Sequence, residues 1–235
     1  MARLSTRLFD LRGWPSQCAV CRAWPAHAVC TACVARFAPL RARCDRCALP
    51  VTPGVRRCGA CLSNPPPLDA CLAAVGFEWP WAGLIARMKF QQDIGLADAL
   101  ATLLRRTPGV AEALAQADWL VPMPLAPARL AERGYNPALL LARRLPPARC
   151  LTDGLRRVRD TPPQRGLTRA ERQRNVRGAF AVHGPHAAAL RDRRVVLIDD
   201  VMTTGASLHE AARALRAAGV VHITALALAR TELPA

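Results

Sequence analysis

Thirteen residues, Val195-Val196-Leu197-Ile198-Asp199-Asp200-Val201-Met202-Thr203-Thr204-Gly205-Ala206-Ser207, limit the fold more than any other stretch of the chain. Four consecutive aliphatic residues, three of them β-branched, suit a short strand buried on both faces, as in a parallel sheet. Two carboxylates stand where that strand ends, and ligands of open α/β sheets bind beyond the carboxyl ends of the strands. A turn of small and hydroxylated residues then opens into a helix. Leu208, Ala211, Ala212 and Leu215 recur there at helical spacing, and Gly219 supplies the stop.

This order of features has a chemical reading. Backbone N–H groups and hydroxyls at a helix N-terminus favour a phosphate monoester, and Gly205 lets the backbone approach closely. Thr203, Thr204, Gly205, Ala206 and Ser207 are therefore the expected phosphate cradle. Asp199 and Asp200 do not ligate phosphate without a cation. They suit sugar hydroxyls, or Mg2+ bridging sugar and pyrophosphate. A ribose carrying a 5′-phosphate and a 1-pyrophosphate meets both demands. Across all thirteen positions the stretch resembles the motif with which type I phosphoribosyltransferases bind phosphoribosyl pyrophosphate (PRPP).

The N-terminal part is governed by cysteine spacing. Cys18/Cys21, Cys30/Cys33, Cys44/Cys47 and Cys58/Cys61 are four C-x-x-C pairs. Two such knuckles complete a tetrahedral Zn2+ site, so two structural zinc ions are expected. A disulfide framework is the rival reading, but no secretory signal accompanies it. Residues 12–62 hold too few large apolar side chains for a core of their own, so metal binding is expected to contribute the folding energy. Sequential pairing of the knuckles, preferred for its short loops, and interleaved pairing are both compatible with the intervals. Cys71 and Cys150 stand outside the pairs and are expected as small buried side chains. His27 is expected at the surface.

No apolar run reaches the roughly 18 residues of a membrane-spanning helix. Met1 to Gln17 lacks the apolar core of a signal peptide, and a soluble cytoplasmic protein is expected. The formal net charge is +16, and all but one of the 33 Lys and Arg residues are arginine. Residues 1–70 hold ten arginines against three aspartates, and residues 149–177 nine against three acidic residues. Clustering of this kind points to polyanion contact, with nucleic acid or with a phosphorylated ligand.

Asn64-Pro65-Pro66-Pro67 reads as a stiff connector and sets the expected boundary between residues 12–64 and 65–235. Strands are expected at 71–77, 118–121 and 220–229, with helices at 81–90, 94–105, 125–133 and 137–145. Met88-Lys89-Phe90 holds the lone lysine, which hints at a point-charge role that a guanidinium fills poorly. Pro122, Met123 and Pro124 hold a fixed loop at the same sheet edge as the carboxylates. Arg129 and Arg133, four residues apart on one helix, can both face an anion there. The Arg-rich stretch 155–180 reads as a lid over pyrophosphate or as a groove for DNA phosphates. Thr168 and Glu171 form a capping box within it, predicting a short helix over 169–176.

Cysteine knuckles, proline joint, Met88-Lys89-Phe90, Pro122-Met123-Pro124-Leu125, Arg133-Gly134-Tyr135-Asn136, the Arg-rich loop and the terminal motif follow one another in order. From about Cys18 to Arg230 the chain resembles the ComF/GntX family. The resemblance implies an α/β fold, with a double zinc ribbon preceding a type I phosphoribosyltransferase domain whose parallel sheet is Rossmann-like. It also implies PRPP with Mg2+ as ligand, the proline loop and Arg133 beside pyrophosphate, and a link to DNA uptake in natural transformation. Single-stranded DNA and the DNA-uptake machinery are the partners it points to. Two alternatives stand beside it: an active phosphoribosyltransferase on an unassigned acceptor, or a single-stranded-DNA-binding adaptor without catalysis. In 6-oxopurine phosphoribosyltransferases the position matching Thr203 carries a carboxylate that serves as base. Threonine here argues against that acceptor class.

Overall fold

The computed structural model describes residues 16–24, 27–145, 149–159 and 174–232. The chain divides into two compact units, Met1–Pro39 and Leu40–Ala235. The smaller one holds the first two cysteine pairs and, among its described residues, one helix, α1 (Thr31–Phe37).

The larger unit is built on a five-stranded parallel sheet. Its strands are β1 (Ala70–Gly76), β2 (Trp119–Pro122), β3 (Arg149–Cys150), β6 (Arg194–Met202) and β7 (His222–Arg230), in the order β1-β7-β6-β2-β3. The central strand β6 has neighbours on both sides and helices packed over it, so Val195, Val196, Leu197 and Ile198 are all buried. Strand β7 is buried from Ile223 to Arg230. Edge strand β1 instead alternates between buried and half-buried side chains over most of its length. A short antiparallel hairpin, β4 (Leu155–Arg157) with β5 (Phe180–Val182), stands apart from the sheet.

Helices follow from the same local rules. Helix α2 is Gly59–Ser63, and α3 (Trp81–Phe90), α4 (Leu96–Arg106) and α5 (Val110–Gln116) lie between β1 and β2. Helix α4 buries Leu100, Leu104 and Ala97 against β1 and β7. Helix α6 (Pro127–Arg133) begins two residues later than the periodicity predicts. Proline at position 127 holds Ala126 in extended backbone and itself fits the first helical turn. Helix α7 (Pro137–Ala142) is capped by the Asn136 side chain. After β5 come a 3₁₀ turn (Gly184–His186) and α8 (Ala187–Leu190). Helix α9 (Ala206–Ala217) buries Leu208, Ala211, Ala212 and Leu215 as its spacing requires, and packs on β5 and β6.

The two compact units part at residue 39/40, ahead of the boundary at 64/65 expected from the proline run. The stretch 41–69 is tied to the sheet by polar contacts. The Arg230 guanidinium, 2% exposed at the end of β7, donates to Cys47 O at 2.8 Å, to Met202 O at 3.1 Å, to Thr231 O at 2.6 Å and to Thr203 O. Cys71 N, in β1, donates to Asp45 O at 2.8 Å, and Arg43 pairs at 3.4 Å with Glu232, just beyond β7. The expected strands and helices otherwise appear within a few residues, while α1, α2, α5, α8, β3 and the β4–β5 hairpin are additions. Cys71 is buried as expected; Cys150, on edge strand β3, is only half-buried. His27 is exposed. The capping box at Thr168 and Glu171 lies outside the described residues, although 174–176 are helical.

Replacing Arg230 by methionine keeps much of the volume but removes its donors from the buried Cys47 O and from the part-buried Thr203 O and Thr231 O. Leaving such groups unpaired costs about 1–3 kcal/mol each, so Arg230→Met is expected to destabilise the larger unit by about 3 kcal/mol, read as a lowered midpoint in urea unfolding.

Candidate functional site

Both cysteine groups share one local design, each within its own unit. In the first, Cys18 and Cys21 lie in a tight turn, and Arg22 N closes it on Cys18 O at 2.9 Å. In the second, Ala48 N closes on Cys44 O at the same 2.9 Å. Arg22 and Ala48 both take positive φ, 67° and 56°, a strained choice for residues with a side chain. The second knuckle of each group opens a helix: Cys30 caps α1 and Cys58 caps α2. Cys30 N donates to Cys18 Sγ and Cys58 N to Cys44 Sγ, each at 3.4 Å. The pairing is thus sequential: Cys18, Cys21, Cys30 and Cys33 converge, as do Cys44, Cys47, Cys58 and Cys61.

These eight thiols fit a tetrahedral metal. Cys18 and Cys33 Sγ lie 3.9 Å apart, Cys21 and Cys30 3.7 Å, Cys47 and Cys58 3.7 Å. Thiolates at the Zn–S distance of ~2.3 Å span a tetrahedral edge of about 3.8 Å. Burial pushes the Cys18 thiol up, but backbone hydrogen bonds from Cys21, Cys30 and Val20 overcome it and bring it down to about 6. The Cys44 thiol comes down to about 7 in the same way, burial being outweighed by backbone hydrogen bonds from Cys58, Arg46 and Cys47. Each group therefore has one sulfur already favouring the thiolate that a metal requires.

At the carboxyl end of the sheet lies a cavity of about 910 Å³. Its position follows from register. Pro122 pairs with Ile198 across β2 and β6, and Met123 N donates to Ile198 O at 2.8 Å. The proline loop therefore leaves the sheet beside the point where Asp199 and Asp200 begin. Met123, Pro124, Arg133, Asp199, Asp200, Thr203, Gly205, Ala206 and Ser207 all line the cavity. Pro122 and Thr204 are not in its wall. Pro122 is buried as the last residue of β2, and Thr204 Oγ1 accepts from Ala206 N at 3.4 Å, shaping the turn. Gly205 is required: its φ is +82°, and a Cβ there would come within 2.5 Å of Met202 Cε and 2.9 Å of His209 Nε2.

The Arg133-Gly134-Tyr135-Asn136 stretch joins the remaining walls. Asn136 Nδ2 donates to Met123 O at 2.9 Å while its Oδ1 accepts from Ala138 N at 3.0 Å, fixing the proline loop to α7. Tyr135 donates its hydroxyl to Met88 O, at the end of α3. Arg133 lies 5.1 Å over the Phe90 ring. Arg129 also reaches the cavity. From the hairpin come Arg157 and Phe180, themselves stacked at 5.6 Å; both belong to the Arg-rich stretch 155–180 expected as a lid or a groove, and β4 and β5 bring them together only in the folded chain.

Charge at the sheet end is balanced by the lone lysine. Lys89 Nζ lies 2.6 Å from Asp200 Oδ1, with both side chains largely buried. Asp200 N donates to Asp199 Oδ1 at 2.9 Å. Burial and the neighbouring Asp200 carboxylate push Asp199 up to about 7, against the pull of Lys89 and of that N–H. Asp199 therefore keeps its proton to higher pH than an ordinary carboxyl does. Oxygen donors of this kind fit a hard divalent cation or sugar hydroxyls.

A parallel sheet with an acidic pair at its central strand end, a glycine turn into a helix and a proline loop beside them defines a phosphoribosyltransferase-type domain. Residues 130–233 match the family described as phosphoribosyl transferase domain. The chain is 35% identical over 179 residues to competence protein F of Haemophilus influenzae, covering 72% of this chain and 76% of that protein. It is 32% identical over 183 residues to DNA utilization protein YhgH of Escherichia coli K12, covering 73% and 76%. The chain belongs to this competence protein F family. A glutamine PRPP amidotransferase from B. subtilis, complexed with ADP and GMP, aligns with 57% of this chain and 25% of its own at a TM-score of 0.35 and 19% identity. No helix among the described residues is long and apolar enough to cross a membrane.

The raised Asp199 carboxyl has a measurable sign. Its folded form holds the proton more tightly than the ordinary value of 3.8 implies, so its ionisation lowers stability as pH rises from 3.8 through about 7. Without Mg2+, Asp199→Asn is expected to unfold at a higher temperature than wild type at about pH 8. The difference should shrink below neutrality, where wild-type Asp199 is itself protonated.

Proposed function

We propose that this protein binds PRPP with Mg2+ at the carboxyl end of β6 and serves DNA uptake in natural transformation. One observation carries the binding: the acidic pair, the glycine turn and the proline loop face a single cavity of about 910 Å³, within the size range of small-molecule sites. Thr203 to Ser207 hold the 5′-phosphate with backbone N–H groups at the start of α9. Asp199 and Asp200 take the ribose hydroxyls and Mg2+, which would neutralise charge between sugar and pyrophosphate. Met123, Pro124, Arg129 and Arg133 form the wall for pyrophosphate. Lys89, paired with Asp200 at 2.6 Å, offsets part of the charge of the acidic pair that would hold the cation and the sugar.

The relatives' names, a competence protein and a DNA utilization protein, support the second half of the proposal. The two cysteine groups hold structural zinc. With four sulfurs on each ion no position is left open for chemistry, so their work is architectural. Metal analysis of the purified chain is expected to find two tightly held zinc ions; markedly fewer in fully folded protein removes the two-site reading.

Titration calorimetry tests the ligand. Wild type in Mg2+ buffer is expected to release or absorb heat on addition of PRPP. Asp199→Asn/Asp200→Asn should weaken that binding by at least about tenfold, ~1.4 kcal/mol. Wild type that gives no heat with PRPP at any temperature tried defeats the proposal.

A further inference from the structure

A cluster of different chemistry lies at the root of the β4–β5 hairpin. Asp153 precedes β4, His183 directly follows β5, and His186 ends the 3₁₀ turn. The backbone draws them together. His183 N donates to Gly154 O at 3.1 Å, closing the hairpin, and His186 N donates to His183 O at 2.8 Å, folding the second ring back beside the first. The ring centroids are 5.4 Å apart, edge to face. One carboxylate meets both rings: Oδ1 lies 2.9 Å from His186 Nε2 and Oδ2 lies 3.3 Å from His183 Nδ1.

We propose that Asp153, His183 and His186 bind a divalent transition-metal ion, Zn2+ or one of its first-row neighbours, and that this ion pins the root of the hairpin. Three observations carry the assignment. The donor atoms all lie within 4.8 Å of one another. Donors held at ~2.1 Å from one metal are separated by roughly 3.0–3.4 Å along an octahedral or tetrahedral edge, and both carboxylate–imidazole gaps are close to that span. His183 Nδ1 is buried and has no well-directed hydrogen bond, its neighbour being Asp153 Oδ2 at 3.3 Å. A shared cation satisfies the orphaned nitrogen and both carboxylate oxygens' neighbours at once.

The donor set selects the metal class. Two imidazoles and a carboxylate suit zinc, cobalt, nickel or ferrous iron, whereas Mg2+ and Ca2+ prefer oxygen alone. The Asp153 side chain is 52% exposed and the two imidazoles 20% and 26%, so solvent can fill the remaining positions. Placement gives the site a job. Three residue pairs above it, Arg157 and Phe180 project from the hairpin to the PRPP cavity wall. Beyond them Arg159 closes the neck by donating to Arg177 O at 2.6 Å and Asn175 O at 3.2 Å. The ion fastens the opposite end, so the register of the two strands is held from both sides.

Equilibrium dialysis of the full chain, as purified, against a graded series of free Zn2+ tests this. Wild type is expected to take up one more equivalent than His183→Ala/His186→Ala, whatever the two cysteine groups retain. Asp153→Asn should weaken that extra equivalent at least about tenfold, since even loss of a residue supporting a ligand costs 10–100-fold in metal affinity. Far-UV circular dichroism checks folding; if the double variant does not fold, Asp153→Asn, altered only at a half-exposed carboxylate, decides alone. Equal uptake with equal affinity by wild type and folded variants overturns the assignment.

Discussion

The buried Arg230 guanidinium holds the larger unit to its site. It sits at the end of β7 and donates to carbonyls of Cys47, Met202, Thr203 and Thr231. Those acceptors belong to three structures: the first knuckle of the second cysteine group, the end of the central strand, and the C-terminal segment. A cation buried without such bonds would be very costly, so the folded state admits it only with all three in register. The start of the glycine turn is thereby fixed from behind. The second cysteine group, although it contributes nothing to the cavity wall, is thus linked to the glycine turn through this one guanidinium.

Much of this arrangement was legible in the sequence, because its signals are local. The aliphatic run of β6, the Asp199–Asp200 step and the Gly205 turn each state their own geometry over a few residues. The C-x-x-C pairs do the same, although their intervals left the pairing open until the backbone brought Cys18 to Cys33 and Cys44 to Cys61. What escaped were juxtapositions. Lys89 invited attention by being alone, yet its meeting with Asp200 depends on α3 crossing the end of β6. Arg157 and Phe180 reach the cavity only because two three-residue strands pair across a long insertion. The proline run seemed a boundary because prolines stiffen chains, but the Asp45 and Cys47 carbonyls accept across it from Cys71 and Arg230 of the sheet.

The sheet end is also an electrostatic compromise. Two adjacent carboxylates repel, and one ammonium at 2.6 Å relieves only part of that strain. The protein thus keeps an acidic pair in which ionising Asp199 costs stability. Binding sites often show this opposition between stability and function. Stabilisation by a bound ligand restores the difference, since whatever binds the folded state alone deepens it.

The lone lysine carries one more consequence. In a chain whose other basic side chains are all guanidinium groups, Lys89 is the single side-chain amine, and it stands in the wall of the cavity beside Asp200. Reagents that acylate or reductively alkylate amines therefore have one internal address on this protein, in the wall of the sheet-end cavity, where a reporter group would be shielded or exposed by whatever occupies it.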